Sequence, residues 1–386
     1  MNSSLLWLTA ALFTWGIGEG MFFMFQPIYL SQLGADPIKI GYILGAAGLV
    51  MMLAHIPAGY LADRLGRRPL LVTAWLTAVC ATWLMALAPG LPVFVAGLLL
   101  YWFTGCVSSP LNSYITSARG NWSVGRAITL ISATFNLGMV LGPFTGGWIG
   151  DHYGLRSIFF VSGILFIIST FFVVMIAPQP RDQHDPATPP PSLFTNWRYL
   201  GFVGLGFLVM LAIYFPQPFT PKFLQDVRGL SLSEIGLLGS IGGSGNAALS
   251  VALGFVDARL GFILGQAGVG LYNLILWQAN GFGWFAIAYF ALGGSRASRA
   301  LFMALIRPLV HESQMGLAYG LSESVLGLTG ILAPIAAGVL YERDTASIYP
   351  LAFAGMLVVI FLSLIFTPRH KKDQLLPIIE THEVTP

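Results

Sequence analysis

Twelve stretches of about 20 or more mostly apolar residues, the length a helix needs to cross a bilayer, run through this chain of 386 residues. They lie near 5–33, 38–62, 69–90, 91–118, 125–152, 156–178, 197–225, 231–257, 262–280, 283–310, 315–342 and 346–368. Only 9% of the residues are charged and 56% are apolar, whereas soluble domains run at roughly a quarter charged. A mean hydropathy of +0.76 agrees. Together these exclude a cytosolic enzyme, a secreted disulfide scaffold and a disordered chain. The expected fold is an all-α polytopic membrane protein with the lipid bilayer as its solvent. A net charge of +3, from 19 basic and 16 acidic groups, gives no case for nucleic acid. Cys80 and Cys106 sit inside apolar runs and read as small buried hydrophobes.

Short punctuators separate the stretches: Gly34 to Pro37, Ala88 to Leu91, Gly229 to Ser233 and Asn280 to Gly283. The N-terminus has no basic n-region, so it is read as the first span and not as a cleaved signal peptide. Basic residues orient the chain. With both termini cytoplasmic, twelve Lys and Arg fall inside and five outside (Lys39, Arg156, Lys222, Arg228, Arg343), while Arg296 and Arg299 lie within a span. The segment from Pro178 to Asn196 is polar and holds six prolines, which reads as an extended cytoplasmic linker. The expected organisation is a six-helix bundle over 1–178, a linker over 179–196, a second bundle over 197–368 and a cytoplasmic tail over 369–386.

The two bundles repeat one another. Ile40-Gly41 and Ile235-Gly236 each open a span, and the spans close on related strings, Gly59 to Gly66 and Gly254 to Gly261. Both pairs are offset by 195 residues without a gap. A second echo, offset by 191, matches Gly142 to Gly147 with Ala333 to Gly338. Matched landmarks in two six-span halves are the pattern of a parallel-repeat transporter.

The string G-Y-L-A-D-R-L-G-R-R, from Gly59 to Arg68, resembles the signature between the second and third helices of the major facilitator superfamily. Gly138 to Gly147, G-M-V-L-G-P-F-T-G-G, resembles the fifth-helix motif of its proton-coupled antiporter branch. The resemblance spans essentially the whole chain and implies two pseudo-symmetric six-helix bundles around a central cavity. That cavity would be lined by spans one, four, seven and ten, helped by two, five, eight and eleven. Two departures stand out: the fourth span lacks the membrane arginine of many drug antiporters, and Asp257 sits one place early in the second-half string. The resemblance assigns a gating latch to Gly59, Asp63, Arg64, Gly66, Arg67 and Arg68, with Asp63 facing a helix N-terminus or Arg126. A positive-inside anchor is the alternative. Gly138, Gly142, Gly146 and Gly147 have small-residue spacing for close helix approach, and Pro143 bends the helix. Their expected role is tight packing between the halves.

Ionisable groups at mid-membrane cost at least about 2.5 kcal/mol, so each is a functional candidate. Glu19, in G-I-G-E-G, has glycines on both sides that leave room for approach. Glu323 and His55 join it as proton-coupling candidates. Arg296 and Arg299, three apart, share a helix face. With Glu19, the expected cavity groups are Asn112, Tyr114, Asn136, Tyr214, Gln217, Asn246, Arg296 and Arg299. The alternatives stay open at this stage. Glu19 either takes a proton or permanently balances an arginine; the arginines either bind an anion or neutralise the two acids; His55 relays protons or packs; the asparagines touch substrate or staple helices.

No nucleotide loop, metal-spaced His/Cys cluster or nucleophile elbow occurs in the sequence. The expected protein is a monomer without cofactors, not an enzyme, seated in the bacterial cytoplasmic membrane. It would be a secondary transporter of a small solute that rocks its halves by alternating access, with protons driving efflux. An uptake symporter or uniporter for a polar or anionic molecule is the alternative. A receptor or helper subunit would need a soluble domain, and neither the linker nor the tail is long enough to fold alone.

Overall fold

In a computed structural model, the described residues are 3–120, 122–178, 193–311 and 314–368, and the side chains of residues 55–65 lie outside that description. The helical backbone through 55–65 is described, but the side chains of His55, Asp63 and Arg64, with Gly59, are not. Most of the linker and the whole tail are likewise outside it. Among the described residues the chain is all-helical. The first bundle comprises α1 (Ser3–Phe23), α2 (Gln26–Gln32), α3 (Pro37–Leu65), α4 (Arg67–Leu87), α5 (Leu91–Phe103), α6 (Ser108–Ala118), α7 (Val124–Tyr153) and α8 (Leu155–Val174). The second comprises α9 (Trp197–Tyr214), α10 (Thr220–Asp226), α11 (Leu232–Gly254), α12 (Ala258–Gln278), α13 (Phe282–Leu292), α14 (Gly294–Ile306), α15 (Met315–Arg343) and α16 (Ile348–Phe366).

Among the described residues, eleven segments are long and apolar enough to cross a membrane. The twelfth expected stretch, 283–310, divides at Gly293 into α13 and α14, neither long enough alone. Spans one, four and seven divide as well, and each break has a local cause. Pro27 opens α2 after a turn at Met24-Phe25. Between α5 and α6 the chain tightens into a 3₁₀ turn, where Thr104 Oγ1 donates to Tyr101 O at 2.6 Å. Pro216 and Pro218 separate α9 from α10, and Pro221 stands in the first turn of α10. At Gly293 the backbone of α11 passes so close that a methyl would lie 2.3 Å from Asn246 N. The breaks therefore recur at every third span. Interrupted helices at membrane depth are tolerated only where protein or a cavity covers the freed backbone.

Glycine seats the crossings. On one side of α7, methyls at Gly138, Gly142 and Gly146 would lie 2.4, 2.5 and 2.3 Å from the carbonyls of Phe13, Ile17 and Met21 on α1. This corrects the expected packing role, because those three glycines join helices of one bundle. Other members of the motif, Pro143 and Gly147, do join the bundles. A methyl on Gly147 would meet Leu232 O at 2.3 Å, and one on Gly236 would meet Pro143 O at 2.2 Å. A matching crossing joins α3 and α15, where Gly41 lies against Pro334 O and Gly338 against Pro37 O. Serines of α8 staple it to α1: Ser162 Oγ donates to Gly18 O at 2.9 Å and Ser169 Oγ to Ala11 O at 2.7 Å.

These inter-bundle crossings cluster at the end of the molecule that holds the turns at Gly34, Gly154 and Gly229. Among the described residues, the closest backbone approaches between the bundles lie toward that end. Toward the opposite end, Arg67 donates to Ser117 and Arg68 to Val174 O at 2.8 Å, both within the first bundle. Arg259 reaches Leu364 O in the same way within the second. Cys80, expected to be buried, is exposed on α4, while Cys106 is buried.

If α1 and α7 depend on backbone contact, Gly138→Ala will lower the unfolding temperature in detergent, with an overpacking cost of roughly 1–3 kcal/mol. Gly201→Ala, with nothing within 4 Å, will leave it unchanged; equal effects would refute the glycine account.

Candidate functional site

Glu19 lies on α1 in an aromatic surround built by α1, α5 and α8. Trp15, one helical turn earlier, donates from Nε1 to Glu19 Oε2 at 2.8 Å, and Tyr101 on α5 donates its hydroxyl to the same oxygen at 3.0 Å. Trp15 stacks on Tyr101 with ring centroids 6.2 Å apart, and Tyr101 stacks on Phe166 at 5.7 Å. Trp15, Tyr101 and Phe166 are all nearly excluded from solvent. The two donors fix one carboxylate oxygen in a place where a bare charge would be costly. The glycines beside Glu19 do not leave room for a ligand, contrary to expectation. A methyl on Gly18 would meet the Phe166 ring at 3.0 Å, and one on Gly20 would meet Gly142 and Pro143 at 3.1 Å.

In the second bundle, α14 supplies Arg296. Its Nη1 donates to Asn136 Oδ1 on α7 at 2.8 Å, a hydrogen bond between the bundles. Asn136 uses its Nδ2 on Ser132 O at 2.8 Å, which fixes the amide orientation. Arg299, expected to face Glu19, turns instead within its own bundle. It pairs with Glu323 and approaches the Tyr214 hydroxyl at 3.4 Å. Of the four charges, Arg299 and Glu323 pair inside the second bundle, while Arg296 bonds the neutral Asn136 across the bundles.

The remaining expected residues scatter. Tyr114 is corrected out of the cavity: it is 1% exposed and donates to Ala177 O at 2.7 Å. Gln217 donates to Ile213 O at 2.9 Å beside the break in span seven. Asn246 accepts from Ser250 Oγ at 3.3 Å and lies against the break at Gly293. Asn112 is exposed on α6. Of the string from Gly59 to Arg68, Gly66 takes a positive φ of 88° at the start of α4, a backbone position that suits glycine. Trp15 and Tyr101 were missing from the expected site. Trp15 was legible as an i, i+4 neighbour of Glu19; Tyr101, 82 residues away, was not.

A site between two bundles, bounded by broken helices and holding ionisable groups within the spans, is that of a membrane transporter. The profile of the Major Facilitator Superfamily matches residues 6–262 and again 202–384, so the chain belongs to that superfamily. It is a multi-pass membrane transporter and not an enzyme. It is 24% identical to the tetracycline resistance protein, class B, of Escherichia coli over 92% of this chain and 94% of that one. To the class C protein it is 25% identical over 80% and 81%. An uncharacterised MFS-type transporter of Methanocaldococcus jannaschii is 29% identical, over 45% of each chain. Among solved structures, the nucleoside transporter NupG superposes with a TM-score of 0.81 at 14% identity, covering 96% of this chain and all of that one. A bacterial homologue of the human lysosomal transporter Spinster gives 0.71 at 16% identity, covering 94% of each chain. At those identities the likeness concerns the fold.

Removing either donor from Glu19 will destabilise the protein by about 1–3 kcal/mol. Trp15→Phe and Tyr101→Phe will be non-additive because they serve one oxygen, and both costs will shrink in Glu19→Gln. Thermal unfolding of the full double-mutant cycle checks this; additive costs independent of Glu19 would show that the carboxylate is not what these residues hold.

Proposed function

We propose that the protein is a proton-coupled exporter of a small solute, an antiporter in which Glu19 alternates between proton and solute. The observation that carries this reading is the Glu19 carboxylate, held through one oxygen by Trp15 and Tyr101. A carboxylate in such a place gains from neutralisation, and a proton supplies it at the least volume. Proton and solute then exclude one another because one site serves both. Relatives named for tetracycline and multidrug resistance support export over uptake.

In this reading residues 1–178 and 197–368 are the moving bundles, 179–196 links them and 369–386 is a tail. Both termini are cytoplasmic in the inner membrane of a bacterium, and the chain acts as a monomer. The end at which the bundles cross most closely then faces outward from the cell. Solute enters from the cytoplasm as Glu19 gives up its proton; after the bundles rock, a proton from outside displaces the solute. The Arg299–Glu323 pair neutralises itself within the second bundle. The string from Gly59 to Arg68, including Asp63 and Arg64, latches the opposite, outward-facing state, and His55 sits on the same helix as a second proton-handling group. One observation favours uptake of an anionic solute instead: Arg296 spends its hydrogen bond on the neutral Asn136.

In liposomes, Glu19→Gln will abolish solute movement driven by a pH gradient while retaining exchange of labelled solute down its own gradient. Unchanged uphill transport in that variant would refute the assignment.

A further inference from the structure

The closed end of the molecule carries a contact that the expected motifs did not include. Asp151, near the end of α7, reaches across to the second bundle and accepts from the first two backbone amides of α11. Leu232 N donates to its Oδ1 at 3.0 Å and Ser233 N to its Oδ2 at 2.7 Å. The helix's own residues complete the cap. Ser231 Oγ accepts from Glu234 N at 3.2 Å, and Glu234 Oε2 accepts from Ser231 N at 2.8 Å. Among the described residues, no ion pair engages Asp151, so its charge answers to the positive end of α11 alone. One turn deeper, Gly147 meets the Leu232 carbonyl, so the fork and the closest inter-bundle crossing lie side by side.

The repeat shows that this fork is built on one side only. At the 195-residue offset, Asp36, Pro37, Ile38 and Lys39 stand where Ser231, Leu232, Ser233 and Glu234 stand. At the 191-residue offset, Glu342 on α15 stands where Asp151 stands. α3 caps itself, with Lys39 N donating to Asp36 Oδ1 at 2.7 Å, and Pro37 has no N–H to offer. The position matching Leu232 therefore cannot donate to Glu342, and a two-amide fork cannot form there. The two otherwise matched interfaces, α7 with α11 and α3 with α15, differ in this polar clamp.

We infer that Asp151 is the latch of the closed end: its grip on the N-terminus of α11 holds the observed conformation and must release whenever that end opens. The inference rests on alternating access, put forward above, but not on proton coupling, on the direction of transport or on Glu19. Loss of a doubly hydrogen-bonded, charge-assisted contact at a solvent-exposed helix terminus shifts such an equilibrium by about tenfold.

The test uses the full chain in lipid nanodiscs with Cys80 and Cys106 replaced by alanine. Spin labels at Tyr153 and Val227, exposed positions of the two bundles at the closed end, report their separation by pulsed electron paramagnetic resonance. In the parent, a short distance dominates. Asp151→Ala raises the ratio of the long-distance to the short-distance population about tenfold, and Asp151→Asn, which keeps one carbonyl acceptor, raises it less. Leu232→Pro removes one donor without touching Asp151 and copies Pro37, at a first helical position where proline is well accepted; it moves the ratio in the same direction. If Asp151→Ala does not fold, the other two variants carry the comparison. A parent that samples both distances while all three variants leave their ratio unchanged overturns the latch. A parent confined to one distance under every lipid and pH condition, in all variants as well, overturns alternating access and the latch with it, an outcome distinguishable from the first.

Discussion

The architecture depends on how closely α7 can lie against two neighbours at once. Its glycines at 138, 142 and 146 admit the carbonyls of α1 on one side, while Gly147 and the Pro143 carbonyl meet α11 on the other. Without water in the bilayer core, apolar side chains gain nothing from leaving lipid for one another, so close backbone contact and interhelical hydrogen bonds must hold the helices. The α1–α7 contact carries Glu19, because it fixes α1 beside α5 and α8, which supply Tyr101 and Phe166. The α7–α11 contact sets where the bundles pivot and carries Asn136 to Arg296. A residue larger than glycine at these positions separates both the site and the hinge.

The charges follow from that frame. Glu19 is tolerated because two donors meet it, and those donors belong to an aromatic cluster that excludes water. Arg299 and Glu323 neutralise each other inside one bundle, so their pairing moves as a unit when the bundle rocks. Arg296 differs, since its hydrogen bond to Asn136 crosses between the bundles.

Much of the fold was legible in the sequence because membrane spans are a matter of composition and length. The repeat and the string from Gly59 to Arg68 were legible because their spacing is gapless. The breaks in the spans were not read, although Pro27, the prolines at 216, 218 and 221 and the Gly293-Gly294 pair were their signals. Apolar text alone does not distinguish a helix that crosses the membrane whole from one that turns at mid-depth. The site was half legible. Asn136 and Arg296 were expected by residue type and bond each other, and Trp15 lies one turn from Glu19. Tyr114 was misplaced because a tyrosine in a span carries no mark of which way its helix faces. Tyr101 and Asp151 act through partners 82 and 81–82 residues away, a relation that only the folded chain displays.

The central claim is that a solute and a proton exchange at one carboxylate. Its most direct measurement uses purified protein in liposomes loaded with a pH-sensitive dye and held acid inside, with cationic, neutral and anionic compounds added outside one at a time. The account predicts that at least one compound raises the internal pH at a rate that grows with its concentration, and that empty liposomes do not respond. If labelled compounds exchange across the same membranes while the internal pH stays indifferent to all of them, the protein moves solute without counter-moving protons and the account is contradicted.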